Sequence, residues 1–158
     1  MTQHKVFMRI TNGAYIVDSL GKILIGHPTN HVWDVWSIPK GLFDEGETSS
    51  KEAAIRETYE ETNLNLDLFI NKTTYLDLGE EMYGHKKKKL LAHLFHIDLP
   101  LSEMDLNVVC KSMFIYDGEE LPECDVTKWV TFEFASENLH YSQKKILEKV
   151  KEILVHKK

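Results

Sequence analysis

The chain has 158 residues, 42% of them hydrophobic and 28% charged, with a formal net charge of −6. That length fits one compact domain with a sizeable core, and the composition is ordinary for a globular chain. The acidic balance argues against a general nucleic-acid coat protein, which is usually basic; it fits a chain whose own carboxylates need a cation before an anionic substrate can approach.

The N-terminus, Met-Thr-Gln-His-Lys-Val, lacks the apolar run of a signal peptide. No stretch approaches the ~20 apolar residues of a membrane span, so a cytoplasmic protein is expected. Val6–Ile10 and Ala14–Val17 read as strand, with Asn12-Gly13 as a bend or bulge. Asp18–Gly21 turns the chain into a hairpin strand over Lys22–Gly26, and His31–Ile38 alternates apolar and polar residues up to Pro39. A helix is predicted from Ser50 to Thr62, entered through Ser49-x-x-Glu52, the pattern of a capping box.

Beyond Asn63, strands are predicted over Leu66–Ile70 and Thr73–Leu78, a turn over Gly79–Gly84, and a longer strand over Lys86–Ile97. Leu99–Asn107 has no clear pattern. Val108–Tyr116 reads as strand, Asp117–Asp125 as an acidic loop, Lys128–Phe134 as strand and Ala135–Leu139 as a short helical turn. In Ser142–His156, Ile146, Leu147, Val150, Ile153 and Leu154 fall at the spacing of an amphipathic helix. One central and one terminal helix among strands imply an α/β fold with helices packed on a mixed sheet. The two cysteines, Cys110 and Cys124, read as reduced, since nothing points to secretion.

The central helix carries the chemistry. Glu57, Glu60 and Glu61 stand at i, i+3 and i+4, on one face. Like charges at that spacing repel by roughly 0.2–0.5 kcal/mol per pair. A hard cation reverses the sign of that interaction, and Mg²⁺ takes oxygen ligands while keeping waters and substrate phosphates as the others. A solvated acidic face is the plain alternative for glutamates taken in isolation.

Their surroundings resemble the Nudix box: Gly41, Glu47 after five residues, then Arg56-Glu57-Thr58-Tyr59-Glu60-Glu61-Thr62-Asn63-Leu64. Three positions depart from the family pattern. Eight residues, not seven, separate Glu47 from Arg56; Thr58 replaces an aliphatic residue; Asn63 replaces the final Gly. Asn63 suits the left-handed position after a helix, and Thr58 is expected to alter a half-buried contact. The capping box places the extra residue in the loop before the helix.

The resemblance implies the Nudix fold over residues 1–158, a mixed sheet sandwiched between helices with a loop–helix–loop motif. It also implies Mg²⁺ (or Mn²⁺) on Glu57, Glu60 and Glu61, helped by a backbone carbonyl from Lys40 or Gly41. Glu47 is expected to hold the loop or a water behind the metal. Arg56 is expected to be structural, paired with Glu52, Glu60 or Glu47. The implied reaction is attack of metal-activated water on a pyrophosphate linkage.

Two flanks extend the resemblance. Trp36-Ser37-Ile38-Pro39-Lys40-Gly41 looks like the Trp-x-x-Pro-Lys-Gly segment of diadenosine polyphosphate hydrolases and some nucleoside triphosphate pyrophosphohydrolases. Leu121-Pro122-Glu123-Cys124-Asp125 through Trp129 resembles a region of the latter group, where a nearby Glu approaches the metals from the opposite side. Glu123 is thus the candidate for an additional ligand or base, with Glu120 and Asp125 behind it.

In the run Lys86–Lys89 alternate side chains point to opposite faces, so Lys88 joins Lys40 and Trp36 as candidate substrate contacts. Trp33, Tyr83, Phe114, Tyr116 and Trp129 are further aromatics able to stack on a base. His93 and His96 lie on opposite strand faces, which disfavours a shared metal, and surface positions are expected for the other histidines.

The expected substrates are dinucleoside polyphosphates, nucleoside triphosphates or RNA 5′-triphosphate ends. Diphosphoinositol polyphosphates and a non-catalytic nucleotide-binding module are the alternatives. The sequence leaves oligomeric state open.

Overall fold

A computed structural model describes residues 8–32 and 35–156. The start of the first predicted strand (Val6, Phe7) and the candidate aromatic Trp33 lie outside the described residues. The order along the chain is β1 (Arg9–Val17), β2 (Ile23–Pro28), β3 (Lys40–Gly41), α1 (Ser50–Thr62), β4 (Thr73–Tyr83), β5 (Lys88–Ile97), β6 (Met113–Tyr116), β7 (Glu119–Pro122), β8 (Cys124–Val130), α2 (Phe132–Asn138) and α3 (Tyr141–Val155).

Six strands form one sheet in the order β4-β5-β1-β2-β8, with β3 also paired to β1. Only the central β1–β5 pair is parallel, so the sheet is mixed as expected. Alternation along β1 sends its residues to two cores. Ala14 and Ile16 meet Ala54, Leu64 and Phe95 under α1; Tyr15 and Val17 meet Ile146, Leu147 and Val150 of α3 on the opposite face. The helices cover both faces, as the α/β reading requires.

The topology opens a cleft at the strand ends. Strand β1 pairs with β2 at Val17–Ile23, whereas at its other end Asn12 and Gly13 pair with Gly41 and Lys40 of β3. Between these contacts β1 and β2 diverge. The Trp36–Gly41 segment enters the gap, bridging to Gly26 through Ser37.

Several predicted elements are corrected. Asn12-Gly13 is no bulge but regular strand; a Cβ at Gly13 would collide with Ile38 and Leu90, so the glycine serves close packing. Among its described residues His31–Ile38 forms only isolated bridges at Trp36 and Ser37, because β8 rather than this segment takes the edge of β2. Leu66–Lys72 is 3-10 helix, not strand. Asn65 caps it by accepting from Asp67 N–H at 3.1 Å, and Leu68 and Ile70 face solvent without a sheet partner.

Gly79 is a bulge at positive φ within β4, not the start of a turn. The reversal comes at Gly84-His85-Lys86, all with positive φ, so β5 begins at Lys88. The stretch 108–112 lacks ladder partners; Val109, Lys111 and Ser112 instead donate to the carbonyls of Thr62 and Glu60 at the end of α1. The supposed acidic loop is a hairpin, since Asp117-Gly118 with both φ positive make the two-residue turn that joins β6 to β7.

Strand β8 starts at Cys124 and ends at Val130, where Thr131 caps α2 by accepting from Phe134 N–H at 3.0 Å. His27 is buried rather than on the surface. Among the described residues no helix is long and apolar enough to cross a membrane.

Candidate active site

Helix α1 runs over the predicted residues. Ser49 caps it by accepting from Glu52 N–H at 3.2 Å, and Asn63 closes it at φ 64°, the left-handed conformation expected of it. Thr58 is fully buried, not half-buried, and its hydroxyl satisfies itself on the Ala54 carbonyl at 2.8 Å. That bond explains how a hydroxyl occupies an apolar position without an unpaired donor.

Glu57 and Glu61 project from one line of the helix into the cleft and are each 8% exposed, while Glu60 stands further out. Arg56 binds this group together. Its Nε and Nη2 donate to both oxygens of Glu47 at 2.9 Å, and its Nη1 donates to Glu57 at 2.8 Å and to Glu60 at 3.0 Å. It also donates to the Leu42 carbonyl at 2.8 Å. Glu47 is therefore not displaced by the extra residue, which the loop before Ser49 absorbs. Asp44 N–H closes that loop by donating to Glu47 at 2.7 Å.

The electrostatics are unbalanced. Hydrogen bonding to Arg56 holds the Glu47 carboxyl below its usual range. Burial pushes Glu57 up to about 7, with Glu60 and Glu123 adding to the rise and Arg56 opposing it. Glu61 is raised well above the carboxylate range by burial, then by Glu57 and Glu123, against the Lys40 N–H that donates to it at 2.7 Å. One guanidinium serves Glu47, Glu57 and Glu60, and at Glu57 burial outweighs it.

Gly41 makes the approach possible. A Cβ there would collide with the Glu57 carboxyl group, so this glycine is required by proximity rather than by its φ. Its carbonyl accepts from the buried Asn12 side chain at 3.2 Å. Sequence reasoning missed Asn12, whose role depends on the β1–β3 register.

These residues border one cleft of about 730 Å³. Its acidic floor is Glu57, Glu60 and Glu61; Glu123 lies on the facing wall, held by Glu123 N–H donating to Ser112 at 2.8 Å. Lys40 and Lys88 line the same cleft, joined by Tyr83, one of the candidate stacking aromatics, and by Arg9 and His140, which the sequence reading had not assigned to it. Arg9 stands opposite Lys88 in the parallel β1–β5 register. Burial, then Lys40, Lys88 and His31, hold His140 below the usual imidazole range, as expected at a cationic rim. The other lysines of the run do not join: Lys89 pairs with Glu80 at 3.1 Å on the opposite face, and Lys86 lies in the turn.

Trp36 also borders the cleft, yet it is only 3% exposed and packs edge-on against His27 and Phe134. It forms wall, not an open stacking surface. Tyr83, half-buried near His140, is the better placed aromatic.

The sequence profile of the NUDIX domain family matches residues 8–150. The chain belongs to that family. This Nudix chain is 34% identical over 111 residues to an uncharacterized 17.7 kDa protein of the e-segB intergenic region of Enterobacteria phage T4, covering 67% of this chain and 68% of that one. It superposes on a C. elegans Ap4A hydrolase with a TM-score of 0.65 at 22% identity, covering 92% of this chain and 98% of that one. It also superposes on the NUDIX domain of Shewanella oneidensis NrtR, complexed with ADP ribose, with a TM-score of 0.67 at 14% identity, covering 93% and 88%.

The donor set suits a hard divalent cation: Glu57, Glu60, Glu61 and the Gly41 carbonyl are all oxygens. Among the described residues no three acidic, imidazole or thiol side chains already converge as ligands, because Arg56 takes up Glu57 and Glu60. The guanidinium stands where positive charge is needed, and a bound cation would share or replace it.

Proposed function

We propose that this Nudix hydrolase cuts a pyrophosphate bond in a nucleoside diphosphate linked to another group, with dinucleoside polyphosphates as its first candidate substrates. One observation carries the reading: a single cleft joins an acidic floor to a cationic rim of Arg9, Lys40 and Lys88. A pyrophosphate chain complements that arrangement, its phosphates paired with the rim and its scissile linkage over the floor.

Mg²⁺, or Mn²⁺ in its place, held by Glu57, Glu60, Glu61 and the Gly41 carbonyl, would supply phosphate neutralisation and a water acidified toward neutrality. The chain's own groups do the rest. Lys40 and Lys88 orient phosphate oxygens, and Arg56 keeps the floor acids aligned through Glu47. The Lys40 N–H fixes one Glu61 oxygen, leaving the other free to face the substrate. Glu123, exposed on the facing wall, is the group assigned to take a proton from water in this reading.

The test is a panel of diadenosine tetraphosphate, nucleoside triphosphates, 5′-triphosphorylated RNA, ADP-ribose and a diphosphoinositol polyphosphate, each with Mg²⁺ or Mn²⁺ and scored by products. Preferred turnover of the dinucleoside polyphosphate supports the first candidate. Preferred turnover of another nucleotide moves the substrate assignment, and preferred turnover of the inositol compound removes the nucleoside. Absence of turnover throughout leaves a binding module.

A further inference from the structure

Cys110 and Cys124 read from sequence as two ordinary reduced thiols, but the fold brings them together beside the cleft. Cys110 lies in the middle of the irregular stretch 108–112 that donates to the end of α1, and Cys124 opens β8 next to Glu123. Both are free and partly exposed. The Cys124 N–H donates to Cys110 Sγ at 3.4 Å, so the Cys110 sulfur lies against the Cys124 residue, while the Cys110 thiol itself donates to the Ser112 carbonyl at 3.6 Å. Cys124 borders the cleft, whereas Cys110 sits behind the wall.

We propose that Cys110 and Cys124 are a reversible dithiol–disulfide pair, closed by a hydroperoxide, that sets the position of the cleft wall carrying Glu123. The first step is attack of the Cys110 sulfur, as thiolate, on a peroxide oxygen. The O–O bond breaks, sulfur loses two electrons to become a sulfenic acid, and the departing oxygen leaves as hydroxide. The Cys124 sulfur then attacks the Cys110 sulfur; the S–O bond breaks and the hydroxide leaves with the Cys124 proton as water. The peroxide is thereby reduced to water, and a dithiol reductant reverses the bond by exchange. Hydrogen bonding from the Cys124 thiol and from backbone N–H holds the Cys110 thiol below its ordinary range, which favours it as the attacking sulfur.

Closure has a mechanical consequence. A disulfide requires sulfurs about 2.05 Å apart, so closure draws the Cys110 and Cys124 side chains together and ties the two segments that carry them. One segment carries Glu123. The other continues into Lys111 and Ser112, whose N–H groups donate to the Glu60 carbonyl at 2.7 and 3.0 Å. The tie therefore couples both sides of the cleft, and turnover is expected to fall on the order of tenfold.

The experiment treats the full chain with equimolar hydrogen peroxide, blocks remaining thiols, and reads intact mass and a non-reducing peptide map. The expected result is loss of two hydrogens per chain, a cross-linked peptide joining Cys110 to Cys124, and full recovery with dithiothreitol. Turnover of whichever substrate the panel identifies should fall and recover in parallel. Cys124→Ser should stop at a dimedone-reactive sulfenic acid on Cys110. Cys110→Ser should keep basal turnover and lose the peroxide response. Overoxidation of wild-type Cys110 without a cross-link, or a cross-link between chains, would overturn the pairing; an intramolecular cross-link with unchanged turnover would overturn the control of the wall. The mass readout needs no substrate, so it stands apart from the hydrolase assignment.

Discussion

The two walls of the cleft are built differently. The floor, from Gly41 through α1, is held by a charged network in which Arg56 reaches Glu47, Glu57 and Glu60 within 3.0 Å. The facing wall, from residue 108 to 125, is held by backbone bonds to the end of α1, by the short β6–β7 ribbon and by the Cys124 N–H donating to Cys110 Sγ. Charge fixes position over a short range and leaves little slack. Backbone bonds at the rim of a ribbon, exposed at Ile115 and Tyr116, permit adjustment. The chemistry is therefore expected to depend steeply on the floor and more gently on the wall.

The largest effect should come from the floor acids. Glu60→Gln or Glu61→Gln should each lower kcat by about 10²–10⁴-fold, measured with the preferred substrate. Glu61→Gln should at the same time raise the Tm of the metal-free protein, because it removes a buried acid whose charged form is disfavoured. Equal losses of turnover and of fold would remove the distinction between chemistry and support.

Gly41→Ala comes next, with a loss of about 10²-fold. The new Cβ collides with the Glu57 carboxyl while the backbone conformation stays accessible, so circular dichroism should remain native. On the facing wall, Glu123→Gln is expected to cost less, about tenfold to 10²-fold, and to flatten the acidic limb of the pH–rate profile. An unchanged rate and profile would return Glu123 to a solvated surface position and widen the contrast between the walls.

The smallest effect is a pH dependence of stability. Glu57 is raised from 4.5 in the unfolded chain to about 7 in the fold. Between those values the folded state binds more protons, so the Glu57 contribution to stability falls as pH rises from 4.5 through about 7 and levels off above it. Thermal melts of the metal-free protein should show this slope, and Glu57→Gln should reduce it relative to wild type. A slope identical in the two proteins would mean that burial does not disfavour the Glu57 charge.

Much of the floor was legible because its determinants are local. Ser49 and Asn63 announce the ends of α1 through capping chemistry, and helical spacing alone aligns Glu57 with Glu61. The wall was misread for the converse reason. The extended stretch before Met113 has strand-like residues but no strand to pair with, and its N–H groups go to carbonyls left open by α1. The Asp117-Gly118 pair was a local hairpin signal hidden among acidic residues that suggested a loop.

The sequence by itself determined the α/β class, helix α1 and the acids on it, since cap, turn and period act within a few residues of themselves. Tertiary structure alone decided which distant groups share the cleft. Divergence of β1 from β2 and the parallel β1–β5 register set Arg9 beside Lys88; the fold buried Trp36 and brought Cys110 to Cys124. These depend on which strands pair and which carbonyls remain unsatisfied, quantities that no short window of residues contains.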